Sequence, residues 1–198
     1  DRVKSLVGVV DYTFGYYKVQ PESLEVVTRE IPKASPVSIR TGPTGNFVIT
    51  TYNLWDFFDA VPRPIDERHT LKPDELEKRV TKIAQSIVTE LELPQIVAVQ
   101  EAEGTAIDAL AEKLNSLAGT SYKTAWKETS DWRGLSMGFL YDPARVKLLS
   151  LTQLSGPEVE EHFGRKSAVG NREPLVGVFE AGPGIPPITV ICNKIKTK

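Results

Sequence analysis

An amphipathic stripe set between two short apolar runs constrains this chain more than any other feature. Leu76, Val80, Ile83, Ile87 and Leu91 recur at the spacing of one helix face. Pro73 suits the first helical position, and Asp74 and Glu75 follow in the first turn, where carboxylates meet the positive end of the helix dipole. Before the stripe, Phe47-Val48-Ile49-Thr50-Thr51-Tyr52 reads as a strand that runs into a polar tip at Asn53. After it, Pro94 stops the helix, and Gln95-Ile96-Val97-Ala98-Val99-Gln100 reads as a second strand ending at Glu101. Gly104 marks a turn, and Leu110, Leu114 and Leu117 stripe a second helix that Gly119 ends. Strands are predicted over residues 121–127, 135–141, 146–151, 175–180 and 188–193. Two helices among many strands predict an α/β or α+β layered core.

The leading segment differs. Leu6-Val7-Gly8-Val9-Val10 and Tyr12-Thr13-Phe14-Gly15-Tyr16-Tyr17-Lys18-Val19, closed by Gln20-Pro21, fit a bent hairpin. Pro32, Pro36, Pro43, Gly42 and Gly45 then make an extended stretch. The predicted organisation is a leading β element over residues 1–30, a linker over 31–46 and a main domain over 47–198.

Composition narrows the chemistry. With 24 Lys+Arg against 26 Asp+Glu, the net charge of −2 argues against a broad basic field for nucleic acid, although Lys194, Lys196 and Lys198 form a local cluster that could meet phosphate. The single Cys192 leaves no disulfide partner, and with only His69 and His162 beside it a His/Cys metal cluster is implausible. Any bound metal would therefore take oxygen ligands. No run approaches the roughly 18 apolar residues of a membrane helix, so no membrane partner is expected. The start at Asp1-Arg2-Val3-Lys4 and the Lys-rich end suggest a piece of a longer polypeptide.

Asn53 and Glu101 are the candidate metal ligands. If their strands are neighbours, an amide oxygen and a carboxylate converge at one sheet edge, the usual ligand site of open α/β sheets. Oxygen donors of this kind suit Mg²⁺ or Mn²⁺, which share their coordination sphere with water and phosphate. The alternative is structural: Asn53 caps a turn, and Glu101 is a solvated carboxylate in an acidic patch with Glu103.

The residues around these two positions resemble a known family. Ile49-Thr50-Thr51-Tyr52-Asn53-Leu54-Trp55-Asp56-Phe57-Phe58-Asp59 and Ile96-Val97-Ala98-Val99-Gln100-Glu101-Ala102-Glu103 are similar to the opening of the endonuclease/exonuclease/phosphatase superfamily, the deoxyribonuclease-I-like fold. Three later stretches match in the same order. Arg133-Gly134-Leu135-Ser136-Met137-Gly138-Phe139-Leu140-Tyr141-Asp142-Pro143 resembles its strand pair, Asn171-Arg172-Glu173-Pro174-Leu175-Val176 its Arg-x-Pro strand entry, and Ile191-Cys192-Asn193-Lys194-Ile195-Lys196-Thr197-Lys198 its Asn-His-x-Lys-Ser-Lys strand end. The likeness is nearest to the bacterial secreted nucleases, in which a small, often OB-like, β domain leads the catalytic one.

The resemblance implies the first half of a four-layered α/β sandwich and a divalent-metal-dependent phosphodiester hydrolase acting on DNA or RNA, secreted or extracellular. Asn53 and Glu101 would hold Mg²⁺, or Mn²⁺ or Ca²⁺. Arg172 would bind phosphate, unless it pairs with Glu173 or another acid; Arg133 would contact the active site or the nucleic-acid backbone; Asn193 would orient substrate, unless it only caps a strand end. Lys194 replaces the family's His, and an ammonium there could stabilise developing phosphate charge. His69 and His162 match no family position, and Cys192 reads as a small buried hydrophobe. The family's later Asp-x-Asn and Asp-His motifs do not occur, so the missing C-terminal half is itself an expected partner and the fragment is expected to be inactive alone. One sheet with its two helices would leave an open apolar inner face, hence a poorly soluble, oligomeric or molten chain. Other readings are a sphingomyelinase or inositol-phosphate phosphatase of the same fold, or a non-catalytic nucleic-acid-binding module.

Overall fold

In a computed structural model of the chain, which describes residues 2–13, 15–28, 47–61, 71–131, 133–154 and 173–194, two compact units separate as Asp1–Ser38 and Ile39–Lys198. The first is an antiparallel hairpin of β1 (Arg2–Thr13) and β2 (Tyr16–Thr28), turning through Gly15 at φ 81°. Its second strand runs through Pro21, where closure is expected. A register shift between Val7 and Gly8 brings Gly8 opposite Pro21, and a Cβ at Gly8 would lie 2.0 Å from the Gln20 carbonyl oxygen. Only glycine admits that approach. The predicted linker, residues 31–46, lies outside the described residues.

The second unit has mixed α+β architecture. Its strands are β3 (Ile49–Phe57), β4 (Ile96–Ala102), β5 (Lys123–Lys127), β6 (Ser136–Tyr141), β7 (Lys147–Gln153), β8 (Leu175–Glu180) and β9 (Ile188–Cys192). The helices are α1 (Pro73–Thr89) and α2 (Gly104–Ala118). Gly104 is the first residue of α2 instead of a turn, and the Trp126 indole packs against it so closely that a Cβ would meet ring carbons at 2.3 Å. Gly119 ends the helix at φ 64°, the left-handed conformation that suits glycine.

A four-stranded sheet runs in the order β3-β4-β6-β5, with β3 and β4 parallel and the other pairs antiparallel. Strand β4 is buried along almost its whole length, as expected for a strand covered on both faces. Val97 and Val99 join Val80, Ile83, Ile87, Ile107, Leu110 and Leu114 in the core beneath the helices. Ile96 and Ala98, the alternate residues, pack with Met137, Phe139, Leu175, Phe179 and Cys192.

That second cluster corrects the expected open inner face. A three-stranded antiparallel sheet, ordered β7-β8-β9, covers it through Leu175, Phe179 and Cys192. Phe179 meets Phe139 edge-on with ring centroids 5.5 Å apart. Exposed apolar side chains are spread over several elements, among them Leu149 (46%) and Ile191 (59%) of the second sheet and Trp55 (77%) of β3. Among the described residues no helix is long and apolar enough to cross a membrane.

Candidate active site

Parallel pairing sets Asn53 of β3 opposite Gln100 of β4, so the two strand ends bring their polar residues to one edge of the sheet. Both strands then depart from regular pairing. On β4 the register with β6 passes from Gln100 to Ala102, leaving Glu101 as a bulge at φ 60°. On β3 the register passes from Asn53 to Phe57, and Trp55 and Asp56 between them have φ of 47° and 48°. Left-handed backbone costs a non-glycine residue about 1 kcal/mol or more, so a carboxylate held there indicates a position kept against local preference.

Arg79 of α1 holds the β3 bulge in place. Its Nη1 donates to the Asp56 carbonyl at 3.0 Å, and its Nη2 donates to the Leu54 carbonyl at 2.7 Å and to the carbonyl of Trp55. The guanidinium also lies 5.2 Å from the centroid of the Phe57 ring. Burial lowers the Arg79 pKa, and the charge of Asp56 opposes that shift.

Four of the residues expected at the site meet at this edge. The Glu101 Oε1 accepts a hydrogen bond from Asn53 Nδ2 at 3.2 Å and an ion pair from Lys194 Nζ at 2.7 Å. The Glu101 side chain is 12% exposed and that of Lys194 32%. Arg133 stands in the turn before β6, whose antiparallel pairing with β4 brings its starting end beside Glu101. Arg133 Nη1 donates to Asp56 Oδ1 at 3.0 Å, while Nε and Nη2 each donate to one oxygen of the buried Asp131 at 3.2 Å. Burial alone would lower the Arg133 pKa. The hydrogen bonds and charge of Asp131, joined by the charges of Asp56 and Glu101, carry it above the ordinary value. Arg133 is therefore a fixed, permanent cation.

Lys194 reaches Glu101 because β9 is pinned to β4. Cys192 Sγ donates to the Val99 carbonyl at 3.3 Å and accepts from Gln100 Nε2 at 3.2 Å. Burial pushes the Cys192 thiol up to about 11, against hydrogen bonds that lower it. Gln100 Nε2 also donates to Thr51 Oγ1 at 3.0 Å, so one buried amide links β3, β4 and β9 just behind the site. Asn193, half-buried, follows β9 directly before Lys194. Arg172, Lys196, Lys198, His69 and His162 lie outside the described residues.

The structural alternatives divide. Asn53 Oδ1 does accept the Trp55 N–H at 2.9 Å, the expected turn-capping contact, while its amide nitrogen faces Glu101. Glu101 is not a solvated carboxylate sharing a patch with Glu103, because Glu103 is 1% exposed and its Oε2 accepts the Asp59 N–H at 2.6 Å. Sequence reasoning missed Arg79, Asp56 and Asp131. An arginine immediately before Val80 in the apolar stripe, and an acid two residues before Arg133, were the available signals.

Among the described residues, no three His, Cys, Asp or Glu side chains gather as a metal-holding group. The Asn53–Glu101 pair nevertheless fits a hard divalent cation in kind. It offers one carboxylate and one amide, and the place beside Glu101 Oε1 draws a cation, since the Lys194 ammonium lies there. Exchanging the Asn53 amide oxygen and nitrogen by a half turn would bring its oxygen toward Glu101 and break the bond from the Trp55 N–H.

No family model matches the chain, and no curated protein matches it. Solved structures similar to it include an endonuclease/exonuclease/phosphatase from Bacteroides vulgatus, at 17% identity and a TM-score of 0.49, covering 72% of this chain and 50% of that one. A mannosyl-6-phosphatase from Bacteroides thetaiotaomicron follows at 17% identity and a TM-score of 0.48, covering 72% and 49%. A conserved protein of unknown function from Enterococcus faecalis matches at 20% identity and a TM-score of 0.46, covering 72% and 50%. The chain spans about half the length of these structures.

Proposed function

We propose that this chain carries the first half of the active site of a divalent-metal-dependent phosphodiester hydrolase whose substrate is nucleic acid. The observation that carries the reading is the placement of Glu101, held in a left-handed bulge at the sheet edge with Asn53, Lys194 and Arg133 gathered around it. Strain at a polar position marks functional sites, and two cations beside it suit an anionic substrate. The motif resemblance supports the same chemistry, and it alone supports nucleic acid as substrate and secretion as location.

Asn53 and Glu101 would hold Mg²⁺ or Mn²⁺, which when bound neutralises charge on non-bridging phosphate oxygens. The chain's own residues supply the frame. Arg133, its Nε–Nη2 fork taken by both oxygens of Asp131, presents a fixed positive charge beside Glu101. Asp56 sets the far side of that guanidinium at 3.0 Å. Lys194 contributes a second cation on a flexible stem. Arg172, whose motif position implies phosphate binding, would add a third.

The test is hydrolysis of plasmid DNA, RNA and small phosphodiesters by the whole protein, with Mg²⁺ and with chelator. Cleavage of nucleic acid that disappears in chelator and in Glu101→Gln is the expected result. Turnover of small phosphodiesters alone would move the substrate class to another phosphoesterase. Salt-dependent DNA binding with no cleavage, insensitive to Glu101→Gln, would show a binding module instead.

A further inference from the structure

We propose that the Lys194 ammonium is the resident counter-ion of Glu101, and that a divalent cation occupies the Asn53–Glu101 pair only by displacing it toward substrate phosphate. The inference rests on the metal reading above and adds a competitor to it.

Both donors on Glu101 Oε1 stand where a metal shared between that oxygen and Asn53 would approach. Lys194 Nζ lies at 2.7 Å and Asn53 Nδ2 at 3.2 Å from that one oxygen. A divalent ion bound to the same carboxylate oxygen would sit against an ammonium, and two cations sharing one side of a poorly solvated carboxylate repel strongly. One of them must leave. Arg133, the other cation near Glu101 among the described residues, is not the one that moves, because Asp131 holds it through two hydrogen bonds and Asp56 through a third. Lys194 is held differently. It stands beyond the last residue of β9, its side chain is about one-third exposed at 32%, and its stem has four rotatable carbons.

Displacement has a direction. An ammonium turned away from Glu101 regains its charge partner most readily in a phosphate brought to the same edge, so metal and phosphate favour one another at this site. Metal alone should bind weakly, since it must break the pair, and each ligand should strengthen the other by the same factor.

The experiment is a Mn²⁺ titration of the whole protein, followed by the loss of free-ion paramagnetic resonance, in wild type, Lys194→Met, Lys194→Gln, Lys194→Arg and Glu101→Gln. Far-ultraviolet circular dichroism and a thermal melt of each variant establish that it is folded. Lys194→Met and Lys194→Gln should bind Mn²⁺ about tenfold more tightly than wild type, which corresponds to about 1.4 kcal/mol. Lys194→Arg, which keeps the charge, should bind as wild type does, and Glu101→Gln should lose the site. Binding by the neutral variants at or below wild-type strength, with Glu101→Gln still deficient, overturns the competition and leaves the metal reading standing. Tight binding by Lys194→Arg also overturns it, because charge would then not be the cause. No Mn²⁺ binding in any variant overturns both.

Discussion

Arg79 Nη2 donates to the backbone carbonyl of Leu54 at 2.7 Å, tying a helix residue to the β3 bulge 25 positions earlier. Two further carbonyls, those of Trp55 and Asp56, share the same guanidinium. Replacing Arg79 by Ala would leave three part-exposed acceptors to water and remove the packing over Phe57, lowering stability by about 2 kcal/mol. Arg79→Lys should recover little of it, because one ammonium cannot span the three carbonyls that a planar fork spans. Urea unfolding of the three proteins measures the difference; a Lys variant as stable as wild type would contradict the clamp.

Glu101 sets backbone strain against charge. Glu101→Gly and Glu101→Ala both delete the carboxylate, but only glycine relaxes at φ 60°. Glu101→Gly should therefore be more stable than Glu101→Ala by about 1 kcal/mol, with both losing the partner of Lys194. Calorimetric midpoints decide this, and equal midpoints would show that the bulge relaxes without glycine.

Asp131 is almost wholly buried against Arg133, its side chain 1% exposed. Removing the charge by Asp131→Asn should destabilise by about 2–3 kcal/mol, less than for a fully buried pair because the Arg133 side chain is 25% exposed. Arg133→Ala removes the charge partner of the same carboxylate and leaves it the backbone N–H of residue 133. The double variant should then cost clearly less than the sum of the singles, and strict additivity in a double-mutant cycle would mean that the two side chains do not act together.

Two buried acids predict the alkaline limb of stability. Burial raises the Cys192 thiol from 9.0 to about 11 and, as the largest of several causes, the Tyr122 hydroxyl from 10.0 to about 12. The unfolded chain loses these protons first, so between the unfolded and folded values it binds fewer protons than the native state. Stability contributed by both groups is therefore full below about pH 9 and is lost as pH rises through 11 to 12. Cys192→Ala and Tyr122→Phe should each flatten the decline measured by denaturant midpoints. At pH 8, iodoacetamide should label Cys192 only as fast as the chain opens.

Much of the fold was legible because local pattern and tertiary packing agree along it. Helix α1 begins at its proline signal but ends at Thr89, before Leu91 of the expected stripe and five residues short of Pro94, whereas α2 ends directly before Gly119 and β8 matches its predicted range of 175–180. The strands bearing the site were placed but ended too early: β3 continues past Asn53 to Phe57 and β4 past Glu101 to Ala102. Polar residues ordinarily close a strand, and here bulges let pairing resume beyond them. The covering sheet was harder still. Val176 and Val178 of β8 alternate with Leu175, Gly177 and Phe179, so apolar residues line both faces and periodicity does not say which one meets β4.

By itself the sequence determined the elements, the α+β class and the two strand ends that offer Asn53 and Glu101, because each of these depends on residues near one another in the chain. Tertiary structure alone decided what those side chains face. Glu101 has Lys194 as its partner only because Cys192 and Gln100 pin β9 to β4. The bulge beside it is held by Arg79 and the neighbouring cation by Asp131 and Asp56. Electrostatic pairing falls steeply with distance through space and is indifferent to distance along the chain, so only the packed molecule shows which charges neutralise which.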